Sequence, residues 1–137
     1  NTNQSFAFAS GTVTASYGSA TAKAHADANA TDADGADLDP VVVVEGLKTT
    51  LIRTVKAQAA GILANTDWYI TRNAEKSTAI PSAITTHRDL VRSRQATMET
   101  QITNASDTPA LETLYTYTTD SDGVTSRTLA ELPTLEI

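Results

Sequence analysis

The sequence predicts an α+β protein: a central antiparallel helical hairpin with a short N-terminal β unit and a C-terminal β-hairpin. Three observations predict it. Between Val44 and Ile102, apolar residues recur every three or four positions, the period of helices that bury one face. The Ile80-Pro81 pair divides that pattern into two long halves. Near both ends of the chain, short β-branched runs alternate with period two around Gly11 and Gly123, as strands joined by tight turns do.

Taken in order, Phe6 and Phe8 share one face of the first run. Thr12-Val13-Thr14-Ala15-Ser16-Tyr17 forms the second, with a turn at Gly11 and an end at Gly18. From Ser19 to Pro40 the chain is small and acidic, with almost no large apolar side chain. Such a segment buries too little to order itself, so it reads as an extended arm that gains order only against another chain. This sets a division into 1–40, the N-terminal β unit and acidic arm, and 41–137, the helical hairpin with its C-terminal β-hairpin and tail.

Val41 to Val44 fits either a strand or a first helical turn. Val44, Leu47, Leu51, Val55, Ala59, Ile62 and Leu63 then form a helical stripe, and the spacing predicts a helix over 45–75, kinked at Gly61 or Asn65. Residues 77–81 make the turn, because Ile80 before proline is held extended and Pro81 suits a first helical turn. A second helix over 81–104 carries Ile84, His87, Val91, Met98 and Ile102, with Leu90 alongside. The short link predicts antiparallel packing. Thr108-Pro109 opens a short helix with Thr108 as its cap, carrying Leu111 and Leu114. Thr116 to Thr118 and Val124 to Ser126 flank Asp120-Ser121-Asp122-Gly123 as a hairpin, and Leu129 to Ile137, with Pro133, reads as an extended tether.

A chain of 137 residues makes one domain with a modest core. With 40% apolar but only 5% aromatic residues, that core is thin and alanine-rich, and burial is borrowed from a partner or from sister copies. A net charge of −6 with no basic face argues against a nucleic-acid partner. The absence of cysteine excludes disulfides, thiolate metal sites and cysteine nucleophiles. No apolar run approaches the roughly 20 residues a membrane span needs, and the first residues lack the charged and apolar regions of a signal peptide. Neither membrane nor leader is expected.

Few residues invite chemistry. Asp32, Asp34, Asp37 and Asp39 offer hard oxygen ligands, but Gly35 as the sixth residue of a calcium loop puts Ala30 first and Val41 twelfth, where acids are needed. Thr118 and Leu129 fail the same test around Gly123. These clusters read as solvated turns. His25 and His87 form no paired-histidine motif, and His87 reads as a partly buried structural residue. No catalytic, cofactor-binding or metal-ligating residue is expected. The residues singled out for structure or interaction are Asp67, Trp68, Tyr69, Arg72, Pro81, His87, Arg88 and Arg92. Asp67 is expected to pair with Arg88 or Arg92, and Trp68 to pack between the helices against Ile84 or His87, with an arginine stacked on its ring. The alternative for the arginines is a carboxylate-binding cluster.

The run Leu63, Thr66-Asp67-Trp68-Tyr69, Arg72, then Ile80-Pro81, then Arg88 and Arg92 resembles the tail-assembly-chaperone-like segment of small bacteriophage tail proteins. The resemblance covers roughly 53–98 and departs at His87, where an aromatic residue is usual. It implies a phage tail or tail-fibre context: a virion structural protein in multiple copies, docked to other virion proteins, without enzymatic activity. Its rivals are an assembly chaperone absent from the mature particle and a small ligand-binding domain or enzyme. A concave pocket collecting His87, Arg88 and an acid would favour the last.

Overall fold

A computed structural model describes residues 4–9, 11–17 and 23–135. The strand end expected at Gly18, the first residues of the arm (19–22) and the last two of the tail (136–137) lie outside them. The protein is α+β. Its elements are β1 (Gln4–Ala9), β2 (Thr12–Tyr17), β3 (Ala28–Asn29), β4 (Val43–Val44), α1 (Leu47–Ala64), α2 (Asp67–Lys76), α3 (Ser82–Asn104), α4 (Thr108–Tyr115), β5 (Tyr117–Thr119) and β6 (Thr125–Arg127). The strands form three separate two-stranded antiparallel ribbons, β1-β2, β3-β4 and β5-β6.

The helical hairpin is built from α1 and α3. Contacts that join Lys48 to Thr103, Lys56 to Glu99 and Leu63 to Arg88 run in opposite directions along the two helices, so they are antiparallel. The expected stripe of α3 is the buried one: Ile84, His87, Val91, Met98 and Ile102 all face inward, while Leu90 is exposed. Val55, Met98, Ile102, Ala105, Leu111 and Leu129 form the centre of the core. It is aliphatic, as the low aromatic content requires.

The first long helix divides where Asn65 stands. Thr66 leaves the helical backbone at φ −116°, ψ 4°, and α2 begins at Asp67. Ser77, at φ 52°, ends α2 in the left-handed region. The cap of α4 is Asp107, whose carboxylate accepts from the Ala110 amide at 2.8 Å. Thr108 was the expected cap, but Pro109 at the second helical position moves the cap one residue earlier. Gly11 and Gly123 hold the positive φ values, 77° and 79°, that close the outer ribbons.

Two expectations change. The arm was expected to gain order only against another chain, yet residues 23–40 are placed against their own chain, on Val42 to Val44 and the start of α1. Ala28 and Asn29 pair with Val44 and Val43, and the Ala30 amide donates to Val42 O at 2.7 Å. The carbonyls of Ala24 and His25 accept from the Leu47 and Lys48 amides at 2.8 and 3.0 Å, and the Asp27 carboxylate accepts from the Gly46 amide at 2.7 Å. The start of α1 has unpaired N–H groups and a positive dipole end, and Gly46 offers no side chain to cap them. The arm supplies the acceptors instead, so hydrogen bonds bridge the division placed at residue 40. The tail also departs from a tether. Leu129 is among the most buried residues, and Leu132 and Ala130 pack against the same core.

Candidate functional site

Of the residues singled out in the sequence, Asp67, Trp68, Tyr69, Arg72 and Arg88 gather around the joint between α1 and α2, in an inner and an outer group. The inner group begins with the broken helix. Leu63 O, at the end of α1, has lost its regular helical partner and needs donors. It accepts from the Thr66 hydroxyl at 3.0 Å and from Arg88 Nη1 at 2.9 Å. The same Arg88 nitrogen donates to Thr66 Oγ1 at 2.7 Å and lies 2.8 Å from Asp67 Oδ1. Thr66 and Arg88 are buried and Asp67 is exposed. Arg88 thus bolts α3 to the joint, and the expected pairing with Asp67 is present. Arg92 pairs instead with Asp89, one turn away on the same helix, at 3.2 Å. Pro81, at φ −55°, ψ 136°, sits extended at the cap position of α3 and its carbonyl accepts from the Ile84 amide.

The outer group is Trp68, Tyr69 and Arg72. Trp68 does not lie between the helices; 51% of it is exposed. The break at Thr66 shifts the helical phase, so the first turn of α2 carries the ring to the outside. Tyr69 stacks against it at 3.8 Å between centroids, tilted by 32°. The Arg72 guanidinium lies 4.7 Å from the Trp68 ring and 5.4 Å from the Tyr69 ring, within cation–π range. The expected arginine on tryptophan is therefore Arg72. No residue of α2 is buried, and Ile70 is exposed beside the stack.

His87 is buried on α3, with Nε2 unbonded among the described residues. It borders two grooves of about 390 and 280 Å³ next to Pro133, Thr134 and Leu135. Arg88, one residue on, turns to the joint, and the groove walls around His87 carry no acidic side chain among the described residues. His87, Arg88 and an acid therefore do not converge on one pocket.

The acidic loops use their carboxylates internally. Asp32 Oδ1 accepts from the amides of Asp34 and Ala36, and Asp120 Oδ1 from those of Asp122 and Val124. These are Asx-type turns. Among the described residues no group of three or more acids and histidines is arranged for a metal, and no helix is long and apolar enough to cross a membrane.

A further cluster escaped sequence reasoning. Arg127 lies 5.8 Å from the Tyr115 ring and 5.3 Å from the Tyr117 ring, with Glu131 Oε1 at 3.2 Å. Burial raises the Tyr115 hydroxyl above its ordinary range, and Arg127 opposes that. Tyr117 and Arg127 face each other in the β5-β6 register, so the hairpin itself carries that contact, while Tyr115 joins from the end of α4.

Compared with protein-family models, with curated proteins and with solved structures, the chain matches none.

Proposed function

We propose that this chain is a structural protein of a bacteriophage virion, in the tail or tail-fibre region, and that it acts by docking to other virion proteins. One observation carries the docking part of the reading: Trp68 stands half exposed, stacked on the half-buried Tyr69 and Arg72, on a helix with no fully buried residue. A monomer gains little from an exposed tryptophan, whereas tryptophan, tyrosine and arginine are the residues that dominate binding energy at protein interfaces. The phage part rests on the resemblance of residues 53–98. Thr66, Asp67 and Arg88 of that stretch meet at the joint beside Trp68 and Arg72.

The test is mass spectrometry of purified particles, with peptides of this chain expected at a fixed ratio to the tail proteins. Particles grown with Trp68→Ala and Arg72→Ala together are expected to lose the chain while the variant stays folded. The second reading is an assembly chaperone. It is favoured by a docking stack on α2, a helix without buried residues and suited to reversible contact. It requires the chain to be abundant in infected cells and missing from finished particles.

A further inference from the structure

We propose that copies of this chain associate through the β1-β2 ribbon, strand edge to strand edge, so that the N-terminal hairpins of neighbouring copies share one sheet. The inference deepens the multi-copy structural reading and rests on it only for its biological setting.

Four observations carry it. The ribbon is a sheet of two strands, paired from Gln4↔Tyr17 to Ala9↔Thr12. In an antiparallel pair, half of each strand's N–H and C=O groups point away from the partner, so both edges offer unpaired backbone. Second, the ribbon's main contacts among the described residues are between its own two strands, while the core of the helical layer is filled by the tail and α4. An isolated two-stranded hairpin is marginal in water, and added strands are what stabilise it. Third, the facing pair Phe8↔Val13 is open to solvent, 74% and 63% exposed.

The fourth observation selects the occupant. Residues 1–22 contain no Asp, Glu, Lys or Arg and no Pro, although the chain has 26 charged residues, 10 basic and 16 acidic. Monomeric proteins guard free edges with lysine, proline or inward charges. Here QSFAFA and TVTASY have no guard. Short segments that are uncharged, proline-free and rich in β-formers are the ones that pair with identical copies of themselves. The rest of the chain carries the whole net charge of −6, so copies repel elsewhere and meet without repulsion here. A partner recognised by charge would find nothing to read on these strands.

The test uses the full chain in analytical ultracentrifugation, with helical circular dichroism as the control for folding. The unaltered chain is expected to sediment as an oligomer at micromolar concentration. Val13→Glu, at an exposed position, is expected to move it to monomer with the helical signal intact, because like charges then meet in the shared sheet. Val13→Thr, which keeps the β-branch without charge, is expected to stay associated. A monomeric unaltered chain overturns the proposal, as does a Val13→Glu chain with undiminished size. Either result leaves the particle measurement of the previous section untouched, so the two readings fail separately.

Discussion

Arg88 of α3 donates to Thr66 Oγ1 at 2.7 Å across the joint between α1 and α2. Both groups are buried, whereas Asp67, the third partner, is exposed. The neutral hydroxyl and the Leu63 carbonyl therefore contribute more to this joint than the ion pair. Arg88→Ala is expected to cost about 1.5 to 3 kcal/mol, the scale of hydrogen bonds made by a charged donor. Asp67→Asn should change stability by less than about 1 kcal/mol, as exposed pairs do. Urea unfolding of both variants checks the order; equal losses would contradict it.

Trp68, the only tryptophan, reports on the stack directly. Its fluorescence in the dilute chain is expected to be quenched efficiently by acrylamide. Trp68→Ala is expected to cost about 1 kcal/mol or less, the scale of an exposed cation–π contact with Arg72. A loss of several kcal/mol would place the ring inside the protein.

Leu129 makes the tail part of the core. It is 1% exposed among Val55, Met98, Ile102 and Leu111. Leu129→Ala should therefore cost about 2 to 5 kcal/mol, as buried leucine truncations do, and thermal unfolding should show it. Unchanged stability would return the tail to the status of a tether.

Gly46 fixes how closely the arm approaches α1. A side-chain carbon there would overlap the backbone of Ala26. Gly46→Ala is expected to release the arm while α3 stays folded. Hydrogen exchange should then speed up at the Leu47 and Lys48 amides, which donate to Ala24 and His25, and stay slow around Val91. Unaltered exchange at Leu47 would mean that the arm does not cap the helix.

Acid should loosen the same clasp. The Gly46 amide and then the Thr49 hydroxyl hold the Asp27 carboxyl below its ordinary range. A carboxyl lowered in the folded chain contributes its full share above the unfolded value of about 3.9, and that share is lost as pH falls through the folded value. Exchange at Gly46 is therefore expected to rise beyond the intrinsic change as pH falls from 5 to 3, and Asp27→Asn should remove that pH dependence.

How much of this was legible follows from where each interaction keeps its signal. The stripe of α3 and the turns at Gly11 and Gly123 are written in side-chain period and in glycine, whereas the apolar pattern runs on through Asn65 and marks at most a kink at Gly61 or Asn65 where the helix in fact ends. The arm's hold on α1 is made by the carbonyls of Ala24 and His25, and a backbone acceptor leaves no mark on residue type. Leu129, Leu132 and Leu135 recur every three residues but are interrupted by Pro133, a run too short to mark which of them the core takes. Trp68 is expected inward from its place near the turn and its large apolar ring, but the backbone changes phase at Thr66 and leaves the ring half exposed. Asp67 and Arg88 were paired correctly, since an antiparallel return brings those two positions level whatever the local phase.

The absence of buried residues in α2 has a mechanical consequence. Unfolding this helix uncovers no fully buried side chain and only the half-covered faces of Trp68 and Tyr69, so it is the element least tied to the core of α1, α3 and α4. The molecule is in that sense a rigid post with a short latch, and the Arg88 joint is the hinge pin. A partner that seizes Trp68 must also quiet the latch. Part of its contact energy then goes into ordering α2, which leaves an attachment that releases more readily than its contact area alone would suggest.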